Sequence, residues 1–300
     1  MKRFKQYIFE GGHAVSSTVP INQDNVKETL KDIYKKLLPA LNIPKEAVAV
    51  LGSTGKKRSG ETSGDIDLAI DVSALFTLPQ INTEDDMIKY VESVVEDIDI
   101  ITDYSTSKGF RIISVAWPIK NVDELQRAEY VQLDLMLVQD LEYSKFVYWS
   151  PESWRSNYKG TYRNFLLIAI ANVMDVRVVE KRLDKEGIEV SVIWKKNFFD
   201  LSKGLMRGMQ SKIGKKGQVL KNHKTIESKI ITKVPDEIIT MLLGPKFNVG
   251  HAYSFETLYE IINNSKDFIH KDKKKEIFKR VVELCKEAGM MVPKELKQYI

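Results

Sequence analysis

Three aspartates stand where residue type and spacing could do chemistry. Asp65 and Asp67 flank Ile66, and Asp134 lies in Gln132-Leu133-Asp134-Leu135. Residues two apart in a strand project from one face, so Asp65 and Asp67 point together while Ile66 and Leu68 face the core. Neighbouring carboxylates in a half-buried sheet repel one another unless a cation lies between them. Magnesium suits that place, because it is hard, binds carboxylate oxygens at ~2.0–2.1 Å and keeps positions open for water and substrate phosphate. A third carboxylate from a neighbouring strand permits a second ion ~3.5–4 Å away, one ion activating an attacking hydroxyl and the other clamping the leaving phosphate. Val131, Leu133, Leu135 and Leu137 form one apolar face, which puts Asp134 on the other with Gln132 and Met136. An aspartate in so apolar a strand costs stability unless it is paired or metal-bound.

Asp-Ile-Asp alone is also common on solvated strand edges. Asp97-Ile98-Asp99 repeats the pattern within this chain, but it follows a helical stretch and no Gly-Ser precedes it. Gly52-Ser53 does precede Asp65. Around these residues, positions 24–41 carry Val26, Leu30, Ile33, Leu37 and Leu38 at helical spacing, with Asn22 or Asp24 available as a cap. Ala47–Leu51 reads as a short buried strand ended by Gly52-Ser53, followed by a polar loop and an alternating strand over 65–72. A helix capped by Thr83 is expected over 83–97, and strands over 110–117 and 130–138. Strands and helices intermix here, which makes this region α/β or α+β. Beyond Val138 the pattern becomes mainly helical, over 160–176, 235–243, 254–263 and 273–288, with a short hairpin within 187–199. The aromatic and loop-like stretch 140–158 divides the chain, giving expected domains of 1–145 and 146–300.

Composition excludes several classes. The 300 residues are 43% hydrophobic and 29% charged, which does not suit a disordered chain or a low-complexity repeat. The single cysteine, Cys285, rules out an intrachain disulfide and suits a reducing cytoplasm. Four scattered histidines give no zinc spacing. No apolar run reaches the ~18–20 residues of a membrane span. The basic start meets Gly11 and Gly12 before any long apolar segment, unlike a signal peptide. The net charge of +5 is unevenly spread: residues 201–300 hold 20 Lys and Arg against 11 Asp and Glu, so the first 200 are net acidic. Residues 203–233 alone carry nine basic side chains and one acidic one.

A strand ending in Gly-Ser, a loop, an Asp-X-Asp strand and a third aspartate strand together resemble the DNA polymerase β-like nucleotidyltransferase superfamily. The glycine-bearing loop between Gly52 and Asp65 looks most like the branch of poly(A) polymerases, archaeal-type CCA-adding enzymes and oligonucleotide or cyclic-dinucleotide synthases. The resemblance covers roughly residues 30–140. It implies an α+β fold with a palm-like mixed sheet flanked by helices, followed by a mainly helical, basic domain. Asp65, Asp67 and Asp134 would bind two Mg²⁺ or Mn²⁺ ions. Gly52 would permit close backbone approach, and Ser53 would bond the terminal phosphates of a nucleoside triphosphate such as ATP. Lys159 and Arg163, after the third aspartate strand, would contact the triphosphate. Such transfer needs positioning and charge neutralisation rather than a nucleophilic side chain.

Three functions follow as expectations. The first is transfer of a nucleoside monophosphate to an acceptor hydroxyl, an RNA or tRNA end favoured by the basic back half. Lys212, Lys215, Lys216, Lys221 and Lys224 would hold the acceptor's phosphates there. The second is nucleotidyl modification of a protein or small molecule, or cyclic or oligonucleotide synthesis. The third is a non-catalytic nucleic-acid-binding protein. Trp149, Trp154, Tyr148 and Tyr158 offer either a base-stacking surface or domain packing. The oligomeric state is not legible in the sequence.

Overall fold

The computed structural model describes residues 14–121, 126, 129–183, 189–213 and 227–300. Gly11, Gly12 and the basic start lie outside them. The chain divides into two compact units, Met1–Gly160 and Thr161–Ile300. The division falls later than 145/146 because the stretch after Val138 is tied back to the first unit. Gly52 N donates to Tyr148 O (3.1 Å) and Ser153 N to Lys56 O (2.9 Å).

In the first unit, β1 (Ile21–Asn22) pairs with β3 (Thr62–Ser63) beside helix α1 (Gln23–Leu41), which Asn22 caps by accepting from Asp24 N. Strands β2 (Val48–Val50), β4 (Asp65–Asp71), β5 (Tyr104–Ser107), β6 (Ile112–Pro118) and β7 (Tyr130–Val138) form one sheet in the order β2-β4-β7-β6-β5. The central pair, β4 and β7, is parallel and the other pairs are antiparallel, so the sheet is mixed. A one-turn helix, α2 (Val72–Leu75), follows β4, and α3 (Glu84–Glu96) starts on a capping box between Thr83 and Asp86. Such a box satisfies amide groups that a helix start leaves open. Ile66, Leu68, Ile70, Leu133, Leu135 and Leu137 pack with Ile33 and Leu37 of α1 and Val91 and Val95 of α3. The opposite face is polar at one end. At the other, Ala69 and Met136 pack with Leu51 and Leu141, the latter from α4 (Leu141–Val147). Asp97–Asp99 forms a turn after α3, not a second metal-binding strand.

The second unit begins with α5 (Gly160–Val173). The mainly helical character expected of it needs correction. Strands β8 (Asp175–Leu183), β9 (Glu189–Asp200), β10 (Gly204–Ile213) and β11 (Glu227–Thr232) form a four-stranded antiparallel sheet where a short hairpin was expected. Register shifts near Asp175/Val178, Gly208/Met209 and Met209/Ser211 break the two-residue alternation that marks a strand in sequence. Helices α6 (Pro235–Leu243), α7 (Phe255–Asn264) and α8 (Lys274–Glu287) complete the unit. Cys285 is buried in α8, and burial pushes its thiol up to about 12, so it is no nucleophile at neutral pH. Among the described residues no helix is long and apolar enough to cross a membrane.

Candidate metal and nucleotide site

The β-sheet register builds the carboxylate cluster. In the parallel β4–β7 pair Asp67 stands directly opposite Asp134, and Asp65 opposite Gln132. Across β7, Ser114 of β6 stands opposite Asp134. Carboxylate oxygens of Asp65, Asp67 and Asp134 lie within 4.8 Å of one another. Asp65 and Asp67 are half-buried and Asp134 is buried.

All three acids resist ionisation. Burial, then the charge of Asp134, lifts Asp65 to about 6, against the opposing pull of Lys159 and Lys57. Burial, then Asp65 and Asp134, drives Asp67 well above the ordinary carboxylate range. Burial also raises Asp134, while hydrogen bonds from Ser114 and Gln132 hold it down. Desolvated like charges of this kind favour the neutral form unless a cation replaces the missing water. The donor set is all carboxylate oxygen, with no imidazole or thiolate among the three, and it fits a hard divalent ion such as Mg²⁺ or Mn²⁺.

The turn before β4 is fitted to the cluster. Leu51 N donates to Asp67 O (2.9 Å), which brings the end of β2 against the second aspartate. Gly52 then turns with φ +63°, and a Cβ there would run into Asp67 Oδ2. Only glycine combines that conformation with that approach at low cost. Ser53 follows within the same turn, where its carbonyl accepts from Lys56 N (3.1 Å). Buried Thr54 donates through Oγ1 to Asp65 O (3.1 Å), fixing the backbone of the first aspartate.

Gln132 is the residue that sequence spacing did not single out. Buried, it donates Nε2 to Asp134 Oδ1 (2.8 Å), and its Oε1 accepts from Ala14 N (2.9 Å) and Val15 N (3.4 Å). The two backbone amides fix which end of the carboxamide faces Asp134. Its position two before an aspartate on one strand face was the available signal. Gln132→Leu removes that donor and strands the two amides. Divalent-ion affinity, measured calorimetrically, is expected to fall ~10-fold or more, the usual scale for partners that orient metal ligands. The loss should be greater at pH 6 than at pH 8, because Asp134 then protonates more readily.

The other residues expected at the site divide. Lys159 is exposed and acts electrostatically on Asp65. Arg163 requires correction: it is 1% exposed, its Nε donates to Ala252 O and its Nη1 to Asn164 Oδ1 (3.1 Å). A guanidinium so enclosed braces the second unit rather than meeting a triphosphate. Trp149 and Trp154 are 36% and 48% exposed, and Lys56 Nζ lies 4.1 Å from the Trp149 ring centroid. Tyr148 packs against the Leu51, Ala69 and Met136 group. Lys212 falls in β10, whereas Lys215, Lys216, Lys221 and Lys224 lie outside the described residues.

No protein-family model matches the chain, and no curated protein matches it. Among solved structures, Leishmania infantum polymerase beta in a ternary gap complex aligns over 52% of this chain and 49% of its own, at 11% identity and a TM-score of 0.36. The chain thus spans about half the length of that polymerase. What the site can do is decided by its own residues.

Proposed function

We propose that the chain is a divalent-metal-dependent nucleotidyltransferase that moves a nucleoside monophosphate from a triphosphate to an acceptor hydroxyl, with an RNA or tRNA end as the acceptor. The convergence of Asp65, Asp67 and Asp134 beside the Gly52-Ser53 turn carries this reading. Bound there, a pair of Mg²⁺ or Mn²⁺ ions supplies charge neutralisation and an acidified hydroxyl. The residues do the rest. Gly52 admits Asp67 to the turn, Ser53 offers its hydroxyl to the terminal phosphates, and Lys57 and Lys159 add positive charge next to Asp65. The acceptor oxygen forms a bond to the α-phosphorus as the bond to pyrophosphate breaks, and its proton passes to the Asp134 carboxylate. The basic run over 203–233, including Lys212, Lys215, Lys216, Lys221 and Lys224, is proposed to hold acceptor phosphates.

The test is label transfer. Incubation with each α-labelled triphosphate, Mg²⁺ or Mn²⁺, and RNA, DNA or a proteome extract is expected to place label in RNA. Asp65→Ala and Asp67→Ala should remove it. Label in protein or in a small product would favour modification of those acceptors or oligonucleotide synthesis instead. No label anywhere, or label indifferent to both substitutions, rejects the enzyme.

A further inference from the structure

Helix α1 carries Lys27, Lys31 and Lys35 four residues apart, so three ammonium groups line one side of it, and all three are exposed. Like charges at that spacing disfavour a helix on its own. Lys31 is offset by Glu28 (Nζ–Oε1 2.5 Å), while Lys27, Lys35 and Lys45 have no carboxylate within ion-pair distance among the described residues.

Lys27, Lys31 and Lys45 border a groove of ≈ 360 Å³, whereas Lys35 lies outside its lining. Lys27 and Lys31 form one rim and Lys45 another part of the lining, with Leu30 and Tyr34 as the apolar floor. Lys45 Nζ stands 5.4 Å from the centre of the Tyr34 ring. The groove reaches Gly55. That glycine has φ +77° in the turn closed by Lys56 N donating to Ser53 O, so the groove ends two residues from Ser53. The loop is pinned to α1 at this point: Gln23 N donates to Glu61 O (2.9 Å) and Lys57 N to Gln23 Oε1 (3.3 Å). The surface is therefore preformed. No carboxylate lines it. Cationic rims over an apolar floor match a chain that alternates phosphate with sugar, and the strength of such contacts is set chiefly by phosphate neutralisation.

We infer that this groove is the path along which the phosphate backbone of a single-stranded nucleic-acid acceptor reaches the Gly-Ser turn. The inference rests on the nucleotidyl-transfer reading and gives its acceptor a track on the first unit, separate from the basic run of the second.

Binding without turnover tests it. Short fluorescein-labelled single-stranded RNA and DNA are titrated with the full chain in EDTA, without triphosphate, and fluorescence anisotropy is followed over about 50–200 mM salt. The Lys27→Glu, Lys31→Glu, Lys45→Glu triple variant is expected to bind at least ~10-fold more weakly. Its salt slope should be smaller by about 2, since each lost phosphate contact on a single strand removes ~0.7. The corresponding Gln triple variant should show a smaller loss in the same direction, guarding against a misfolded Glu variant. Lys275→Glu with Lys279→Glu, exposed on α8, should change neither quantity. Unchanged affinity and slope in the groove variants overturn the inference, as does an equal loss in the α8 variant. In a parallel titration of the same variants with ATP and Mg²⁺, a selective loss of ATP binding also overturns it, because the groove would then be a nucleotide site. If transfer to RNA persists while groove variants bind normally, the track falls and the enzyme stands. If no acceptor is labelled at all, the enzyme falls and the acceptor path with it.

Discussion

Asp65→Asn is expected to abolish the proposed nucleotidyl transfer while raising the melting temperature of the metal-free protein. The two effects share one cause. Asp65 ionises at about 6 in the folded chain, against 3.8 for an ordinary aspartate, mainly because burial strips its water. Between those values the folded state keeps a proton that the unfolded state has released, so stability falls as pH rises from about 4 to about 6. Above that window the loss is complete, about 3 kcal/mol at ~1.4 kcal/mol for each of roughly two pH units. Asparagine resembles the neutral acid at every pH and avoids the loss. At ~2–4 °C per kcal/mol for a domain of this size, the variant should melt several degrees higher near neutral pH in EDTA. Near pH 4 it should melt with the wild type. Millimolar Mg²⁺ should raise the wild-type melting temperature and affect the variant much less, because one ligand is gone. Transfer should fall by at least ~10³-fold, since lost charge stabilisation of several kcal/mol costs tenfold for each ~1.4 kcal/mol. Melting scans across pH, with and without Mg²⁺, check the first part, and single-turnover transfer checks the second. A variant less stable than wild type in EDTA at neutral pH would show that the carboxylate is held by favourable partners, contrary to the geometry.

Gly52→Ala should damage the same site by a different route. Its φ of +63° costs a β-carbon-bearing residue ~1–2 kcal/mol, and the added methyl overlaps Asp67 Oδ2. The carboxylate must swing aside or the turn must open. Displacement of a positioned group by ~1 Å costs on the order of 10²-fold in rate. A loss of transfer on that scale is expected, with weaker Mg²⁺ binding by calorimetry. Gly55→Ala is the matched comparison. Gly55 also has positive φ, +77°, but a β-carbon there meets nothing within 4 Å. It should lower stability by about 1 kcal/mol and leave Mg²⁺ binding intact. Equal loss in both variants would mean that backbone strain, rather than the approach of Asp67, sets the requirement for glycine.

Much of the first unit was legible because its signals are local. The alternation of Ile66, Leu68 and Ile70 with Asp65, Asp67 and Ala69 declares one strand and both its faces, and the same holds for Leu133, Leu135 and Leu137 around Asp134. Which acid faces which is a matter of register, and register is not local. Ser114 faces Asp134 from across the sheet and Thr54 reaches Asp65 from the preceding turn. Gln132, close to Asp134 along its own strand, is held by the amides of Ala14 and Val15 from far away in the chain, so spacing alone did not mark these residues as parts of one site. Arg163 misled because a basic residue in the first turn of a helix reads as a ligand-binding group, whereas the carbonyl of Ala252 that it serves lies far along the chain. In the second unit, Arg177, Glu180 and Lys181 dilute the apolar pattern of β8, and the shifted registers of β9 and β10 break it further.

The parallel pairing of β4 with β7 also has a kinetic consequence. The two strands are neighbours in the sheet, yet α2, α3, β5 and β6 intervene along the chain. Pairings so distant in sequence form slowly, because loop-closure entropy is lost before the contacts are gained. During synthesis Asp65 and Asp67 therefore emerge on a strand still open to water, where both carboxylates remain hydrated. Their dehydration is concentrated in the single event that seats Asp134 between them and Ser114. A divalent ion held by the three carboxylates would meet its full ligand set only after that event, so it would slow the reopening of the sheet rather than hasten its closure.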